Sequence, residues 1–120
     1  MEIRNVLERL KLLTNDDRED LLLMLSGDAV QRLKARLCCT EEEENAHEEA
    51  LCAAAAAKAA YQFWLLEEAA SPKSLTAGEV RAEFDKGSER ALAYAKQCER
   101  AVSGLLHDED FYFGVTENTV

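Results

Sequence analysis

The chain has 120 residues, and its 24 acidic and 14 basic residues give a formal net charge of −10. Hydrophobic residues make up 48% of the sequence, which is typical of a folded domain rather than a disordered chain. The negative charge argues against tight binding to nucleic acid or to an anionic membrane, since both are negatively charged themselves. With one proline and five glycines, the chain has few turn residues, so we expect a single, mainly α-helical domain over residues 1–120.

The first forty residues predict two helices joined by an acidic turn. Apolar residues recur at helical spacing over 3–13 and again, as leucines three or four residues apart, from about Asp17 to Leu37. Asp16 is a good N-cap residue, and Glu19 follows three residues later. This spacing is typical of a capping box, in which each side chain satisfies an amide at the start of the helix.

A third, alanine-rich helix is expected to begin at Thr40 and to end at Ser71-Pro72. Thr40 and Glu43 form a second capping-box pattern, and acidic residues fill the first turn. The alanine run 53–57 carries almost no side-chain bulk. Backbones of neighbouring helices or subunits can therefore approach closely there.

The third helix ends in an aromatic cluster of Tyr61, Phe63 and Trp64. Such a cluster can stack on nucleic-acid bases or pack in a core or an interface. Because Glu67 and Glu68 follow it and would repel phosphates, the sequence favours packing.

The pattern then changes from helical to alternating over residues of about 74–86. Val80, Ala82 and Phe84 alternate with charged residues, which indicates a strand or an extended arm. A lone strand cannot satisfy its own backbone amides and carbonyls, so such an arm needs a partner. The partner is either a short hairpin strand around Ser74 to Ala77 or an edge strand of another subunit. On the second alternative, these three residues form a subunit or partner interface.

Ser88 is expected to cap a fourth helix over about Glu89 to Leu106, followed by a tail over about 107–120. The predicted fold is thus a small bundle of about four helices with one short extended or β arm between the last two. The tail contains three consecutive aromatic residues, Phe111, Tyr112 and Phe113. Aromatic residues in a row are expected to fold back on the core or to dock on a partner, so they join the predicted interface.

The acidic charge is concentrated in one region. Residues 41–70 carry eight acidic residues and one basic residue, a net charge of −7. Six glutamates at the start of the third helix account for most of this excess, and we predict that they form a solvated acidic face. They are Glu41, Glu42, Glu43, Glu44, Glu48 and Glu49.

Motifs for catalysis, cofactor binding or metal binding are lacking in the sequence. It has no P-loop, GxGxxG, GxSxG or EF-hand pattern. His47 lies among glutamates without HExxH spacing, so a solvated helix start is favoured over a cation site. A small hydrolase or metal enzyme would have to use this cluster, and we expect His47→Ala to leave function intact. The sequence therefore predicts no enzymatic activity, no cofactor and no metal.

Cysteine usage and hydropathy point to a reducing, non-membrane environment. Cys38, Cys39, Cys52 and Cys98 form no CxxC pair, which favours free thiols over zinc ligands or disulfides. The N-terminus lacks the apolar region of a signal peptide, and the apolar stretch 50–66 is shorter than a membrane span. We expect a cytosolic protein, or one carried in a particle that is assembled in the cytosol.

The order of these segments resembles the head–tail connector (adaptor) proteins of tailed bacteriophages and prophages. The similarity lies in the stretches 6–13, 15–17, 20–25 and 29–33, then in the alanine-rich helix ending Ala59-Ala60-Tyr61 and in the segment Thr76–Arg81 before a last helix. It covers most of the chain but includes no unique signature motif.

The resemblance implies a structural virion protein at the neck, located in the host cytoplasm during assembly. Such subunits form a homo-oligomeric ring below the portal and join the capsid to the tail or its stopper. DNA passes through the ring without specific binding, and an acidic lumen would repel its phosphates. On this reading the glutamates of 41–49 face the lumen or solvent, while the arm and the aromatic tail contact other subunits, the portal protein or the tail protein.

A second interpretation belongs to another class. The chain would be a small acidic helical interaction module, such as a regulator, chaperone or inhibitor, acting as a monomer or dimer. It would dock through the alanine-rich helix or the aromatic tail. Portal, capsid and tail reading frames next to its own would favour the connector.

Overall fold

A computed structural model describes the backbone of residues 1–70 and 78–107, and the side chains of these residues except 78–86. This part of the chain is helical apart from turns and one isolated bridge, which confirms the predicted mainly α fold. Four long helices form a small bundle. The helices are α1 (Ile3–Thr14), α2 (Glu19–Arg36), α3 (Glu41–Ala46), α4 (Glu48–Ala70) and α5 (Gly78–Ala101), followed by a 3₁₀ turn at Ser103–Leu105.

Helix α4 is the centre of the bundle, because α1, α2 and α5 all pack against it. α1 runs parallel to α4, since the amide of Glu2 bonds the carboxylate of Glu48 at the start of both helices. α2 runs antiparallel, since Arg18 at its start contacts Glu67 near the end of α4. α5 is also antiparallel to α4, because Gly87 lies against Trp64 near the end of α4, whereas Tyr94, further along α5, shares a groove with Ala53 nearer its start.

The alanine run explains how one helix can contact three others. Six alanines of α4 are buried, and they lie on several sides of the helix rather than in one stripe. A helix that is apolar all round is one that is surrounded by protein. Their small side chains allow the close approach that the sequence predicted. The buried alanines are Ala54, Ala55, Ala56, Ala57, Ala59 and Ala60.

Larger apolar side chains from the surrounding elements complete the core. α1 contributes Val6, Leu7 and Leu10, and α2 contributes a stripe of leucines. Phe63 is buried and meets Trp64 edge to face, with ring centroids 5.3 Å apart. Phe63 and Trp64 therefore pack at the core, as predicted, whereas Tyr61 is half-buried and is not part of the core cluster.

The end of α5 is joined to the end of α2 by backbone hydrogen bonds. The amide of Cys38 donates to the carbonyl of Leu105 over 2.8 Å, and the amide of His107 donates to the carbonyl of Arg36 over 2.7 Å. Leu37 and Leu106 form the bridge between them. These bonds fix the last described residues beside α2.

One of the two predicted capping boxes is present. At α3, Thr40 Oγ1 accepts from the amide of Glu43 over 3.1 Å, and Glu43 accepts from the amide of Thr40 over 3.0 Å. The Asp16 capping box was wrong, because α2 begins at Glu19 and Arg18 precedes it. Asp16 instead accepts from the amide and the guanidinium of Arg18.

The predicted extended arm was wrong over 78–86, because α5 begins at Gly78. Ser88 consequently lies inside a helix rather than capping one, and that helix ends at Ala101 rather than at Leu106. Alternation over five residues is a weak signal, and the Ala, Glu, Arg and Lys residues of this stretch are good helix formers. Residues 71–77 lie outside the described part.

The predicted third helix is divided into α3 and α4 at His47. The amide of His47 is shared between the carbonyls of Glu43 and Glu44, at 3.1 and 3.2 Å, and its own carbonyl accepts from Leu51. The interruption is thus one residue long. It leaves α3 as a short acidic turn ahead of α4.

Candidate functional site

Part of the acidic cluster at the start of α3 and α4 forms ion pairs and hydrogen bonds with α1 and the residues before it. Glu44 and Glu48 contact the Met1 amine at 2.8 and 3.3 Å. Burial would lower the pKa of this amine, but hydrogen bonds to both carboxylates raise it above its ordinary value. Glu48 also accepts from the amide of Glu2 over 2.9 Å.

Glu49 makes the second link to α1. It accepts from Asn5 Nδ2 over 2.7 Å and contacts Arg9 Nη2 at 3.4 Å. These hydrogen bonds, first from Asn5 and then from Arg9, lower the pKa of Glu49. Four of the six predicted glutamates therefore bond within the fold, counting Glu43 in its capping box. Glu41 and Glu42 are exposed at the start of α3, and a lumen-facing role for the cluster stays a prediction.

The buried thiol of Cys52 lies under this cluster. Its Sγ donates to Glu48 over 3.2 Å. Burial, together with the adjacent carboxylate, raises the pKa of Cys52 to about 11. The thiol is therefore protonated near neutral pH, which makes it a poor nucleophile.

The ring of His47, between α3 and α4, contacts a backbone carbonyl. His47 is exposed, and its Nδ1 lies 2.9 Å from the carbonyl of Glu43. Over the described residues, no group of three or more His, Cys, Asp or Glu side chains is arranged to hold a metal ion. The four cysteines are free thiols.

One groove beside α5 is lined mainly by apolar residues. It lies between α1 and α5 and has a volume of about 170 Å³. We call it the apolar groove. Leu12 is 85% exposed and Tyr94 is 41% exposed, so large apolar side chains here face solvent. Its lining residues are Arg9, Leu12, Leu13, Ala53, Ala56 and Tyr94.

The second groove lies on the other flank of α5, between α5 and α2, and has a volume of about 290 Å³. We call it the basic groove. Three cations surround it, whereas the chain as a whole is strongly acidic. Its lining residues are Ala29, Arg32, Leu33, Arg36, Ala54, Ala55, Lys58, Gln62 and Glu99.

The cations of the basic groove differ in their partners. Arg36 forms an ion pair with Glu99 of α5, and its guanidinium donates to the carbonyl of His107. Arg32 and Lys58 form no ion pair with any residue whose side chain the structure describes. Two positive charges on the groove are thus left uncompensated by the described part of the fold.

All six predicted interface residues fall outside the described side chains. Val80, Ala82 and Phe84 lie on the first turns of α5, where only the backbone is described. Phe111, Tyr112 and Phe113 lie outside the described residues. Their role in subunit or partner contacts stays a prediction.

Comparisons with known proteins add no relative. No family model, no curated protein and no solved structure matches this chain. None of the described helices is both long enough and apolar enough to span a bilayer.

Sequence reasoning missed both grooves. The alanine run signalled close helix packing but not which helices would pack on it. Lys58 was the one sequence signal for the basic groove, because it is the only Lys or Arg residue in the acidic stretch 41–70. The exposure of Leu12 also had a signal, because Leu12 lies off the helical spacing of the buried residues Val6, Leu7 and Leu10.

Proposed function

We propose that this chain is a head–tail connector (adaptor) subunit of a tailed bacteriophage or prophage. Copies of it would form a ring below the portal and join the capsid to the tail, with DNA passing through the ring. The proposal rests on the segment order of the sequence. The described helices follow this order, with α1, an acidic turn, α2, the alanine-rich α4 and a last helix α5, but residues 78–81 of the similar extended segment are helical.

The structural observation that carries the assembly part of this proposal is the exposed apolar wall of the apolar groove, which is typical of a protein interface. Leu12, Leu13 and Tyr94 leave a large aliphatic and aromatic surface in water beside a charged residue, Arg9. Clustered apolar side chains on an otherwise charged surface are typical of protein interfaces. A structural subunit that is assembled from many copies requires such a surface.

The acidic residues support the passage of DNA without binding. Exposed Glu41 and Glu42 extend the acidic charge to the tip of α3. A surface of this charge repels phosphate, so DNA in contact with it would slide.

The test is native mass spectrometry over a range of concentrations, with negative-stain images of any large species. The neighbouring reading frames are inspected for a portal protein, and the measurement is repeated with a phage portal protein added. Closed rings, or a complex with the portal, support the proposal. A protein that stays monomeric and never binds the portal contradicts it.

Two matched variants locate the interface. Leu12→Ser and Leu23→Ser both remove an exposed leucine, but Leu23 lies on α2 and lines a different groove, with Ile3 and Leu7. We expect Leu12→Ser to weaken assembly at least tenfold and Leu23→Ser to change it less. A larger loss of assembly in Leu23→Ser than in Leu12→Ser would place the interface at the groove that Leu23 lines.

A single-partner interaction module is the second candidate, and the size of the apolar groove favours it. A volume of about 170 Å³ accommodates one or two side chains of a partner. A stable small dimer, or a one-to-one complex with a protein other than a portal, would support this function.

A further inference from the structure

We propose that the basic groove binds a small phosphate monoester. The site consists only of residues whose side chains the structure describes, and the inference does not depend on the proposed function. Arg32 of α2 and Lys58 of α4 supply the binding charges, and the alanines of α4 form the floor beside them.

The first argument is that two unpaired cations share one cavity. Arg32 and Lys58 both line the groove, and neither forms an ion pair with any residue whose side chain the structure describes. Like charges in one groove repel each other. The chain has 24 acidic and 14 basic residues, yet none of the described carboxylates compensates these two. An anion between them would replace the repulsion by two attractions.

The second argument is the amount of charge. The third cation, Arg36, already pairs with Glu99 and donates to the carbonyl of His107. Arg32 and Lys58 therefore leave two positive charges to be matched. A phosphate monoester carries about −1.5 to −2 at pH 7 and matches both. A carboxylate or a phosphate diester carries a single negative charge and matches only one.

The third argument is the geometry of the donors. The planar guanidinium of Arg32 can donate two parallel hydrogen bonds to phosphate oxygens, and the ammonium of Lys58 acts as a point charge. Gln62 adds a side-chain amide at the same groove. Side chains from two helices can therefore bind one phosphate group together.

The size of the groove favours a small molecule over a peptide. Its volume of about 290 Å³ lies at the lower end of the range for small-molecule sites, which is about 300–1,000 Å³. The floor of Ala54 and Ala55, with Leu33 beside it, offers apolar contacts to a short organic group. A ligand with a phosphate and a few carbon atoms fits this lining.

The test is isothermal titration calorimetry of the full chain with methyl phosphate and with dimethyl phosphate. The first is a monoester, and the second is a diester that carries one negative charge. We expect methyl phosphate to bind saturably with one site per chain, and dimethyl phosphate to bind about tenfold more weakly, because it leaves one cation unmatched. No saturable binding of methyl phosphate, or equal affinity for both compounds, would overturn the proposal.

Two double variants separate the groove from the overall charge. R32A/K58A is expected to bind methyl phosphate at least about tenfold more weakly than the unchanged chain, because both charge-assisted contacts are lost. The control K34A/K96A removes the same two charges from exposed positions that do not line the groove, and we expect it to bind as the unchanged chain does. Equal losses in the two variants would contradict the site.

Nuclear magnetic resonance of the ¹⁵N-labelled, unchanged chain keeps the proposal testable if the groove substitutions disturb the fold. Methyl phosphate is expected to shift the Arg32 Nε–H resonance and the side-chain amide of Gln62. The backbone amide of Ala53, in the apolar groove, is expected to stay in place. Saturable binding that leaves Arg32 and Gln62 unshifted would place the phosphate elsewhere and overturn the assignment.

A phosphate monoester can also be presented by a phosphorylated side chain of another protein. Titration with free phosphoserine and with a phosphoserine peptide distinguishes the two sources. We expect equal affinities, because the groove accommodates the phosphate and little more. A peptide that binds at least tenfold more tightly than free phosphoserine would assign the groove to a protein partner, and the small-molecule assignment would be wrong.

Discussion

The two grooves that flank α5 share their construction and differ in their chemistry. Both have a floor of alanines from α4 and one wall from α5. The opposite wall is α1 in the apolar groove, with Leu12 and Leu13, and α2 in the basic groove, with Arg32 and Arg36. The alanines of the floor set the distance between the helices, and the side chains of the outer wall set whether the groove is apolar or positively charged.

This division makes floor and wall respond differently to substitution. A larger floor residue would force the helices apart and disturb the core. A wall residue that faces solvent can be changed with little effect on folding, because it has few packed neighbours to lose.

The largest difference in folding stability is expected between two leucines of α1, the helix that forms the outer wall of the apolar groove. Leu10 is fully buried whereas Leu12 is 85% exposed. Leu10→Ala is expected to lower the free energy of unfolding by about 2–5 kcal/mol, because it removes core contacts and leaves a cavity. Leu12→Ala is expected to change it by less than about 0.5 kcal/mol. Urea unfolding of both variants measures the difference, and equal losses would show that Leu12 packs in the core.

The next largest difference in folding stability is expected between two alanines of the floor of the apolar groove. Ala56 is fully buried, whereas Ala53, on the same groove, is half-buried. Ala56→Leu is expected to cost about 1–3 kcal/mol of stability, because added methylene groups overfill a packed site. Ala53→Leu is expected to cost less, because its new side chain extends into the groove. A larger loss for Ala53→Leu in urea unfolding would contradict this description of the floor.

The smallest effect is a change in the pH dependence of the melting temperature, caused by the contacts of Glu49 with α1. The pKa of Glu49 is lowered in the fold, by Asn5 and then by Arg9. Its contribution to stability is therefore present above its ordinary pKa of 4.5 and is lost as the pH falls below that value. We expect Glu49→Gln to lower the melting temperature at pH 7 and to flatten its decline between pH 5 and 3. Glu41→Gln is the control, and the same flattening in this variant would contradict the assignment.

Much of the fold could be predicted from the sequence because its signals are local. Leucine spacing located α1 and α2, and the Thr40 capping box located the start of α3. The extended arm was mispredicted because Val80 and Phe84 fit a helical spacing of four as well as an alternating pattern. Over so few residues, the two periods cannot be separated.

The grooves could not be predicted because they depend on how helices are arranged in space. The sequence does not show that α2 and α5 leave a gap above Ala54 and Ala55. The same holds for the acidic cluster, where Glu49 looks equivalent to Glu41 in sequence. Only the position of α1 gives Glu49 its partners, Asn5 and Arg9.

The alanine floor also has a consequence for conformational entropy. An alanine side chain has no rotamers to lose, so burying it carries no side-chain entropy cost, whereas each leucine loses about 0.5–1 kcal/mol. The alanines of the floor therefore add no side-chain entropy cost when a groove is occupied. The side chains with freedom to lose lie around them, as Leu12, Arg32 and Lys58 do, which limits the ordering cost of occupying either groove.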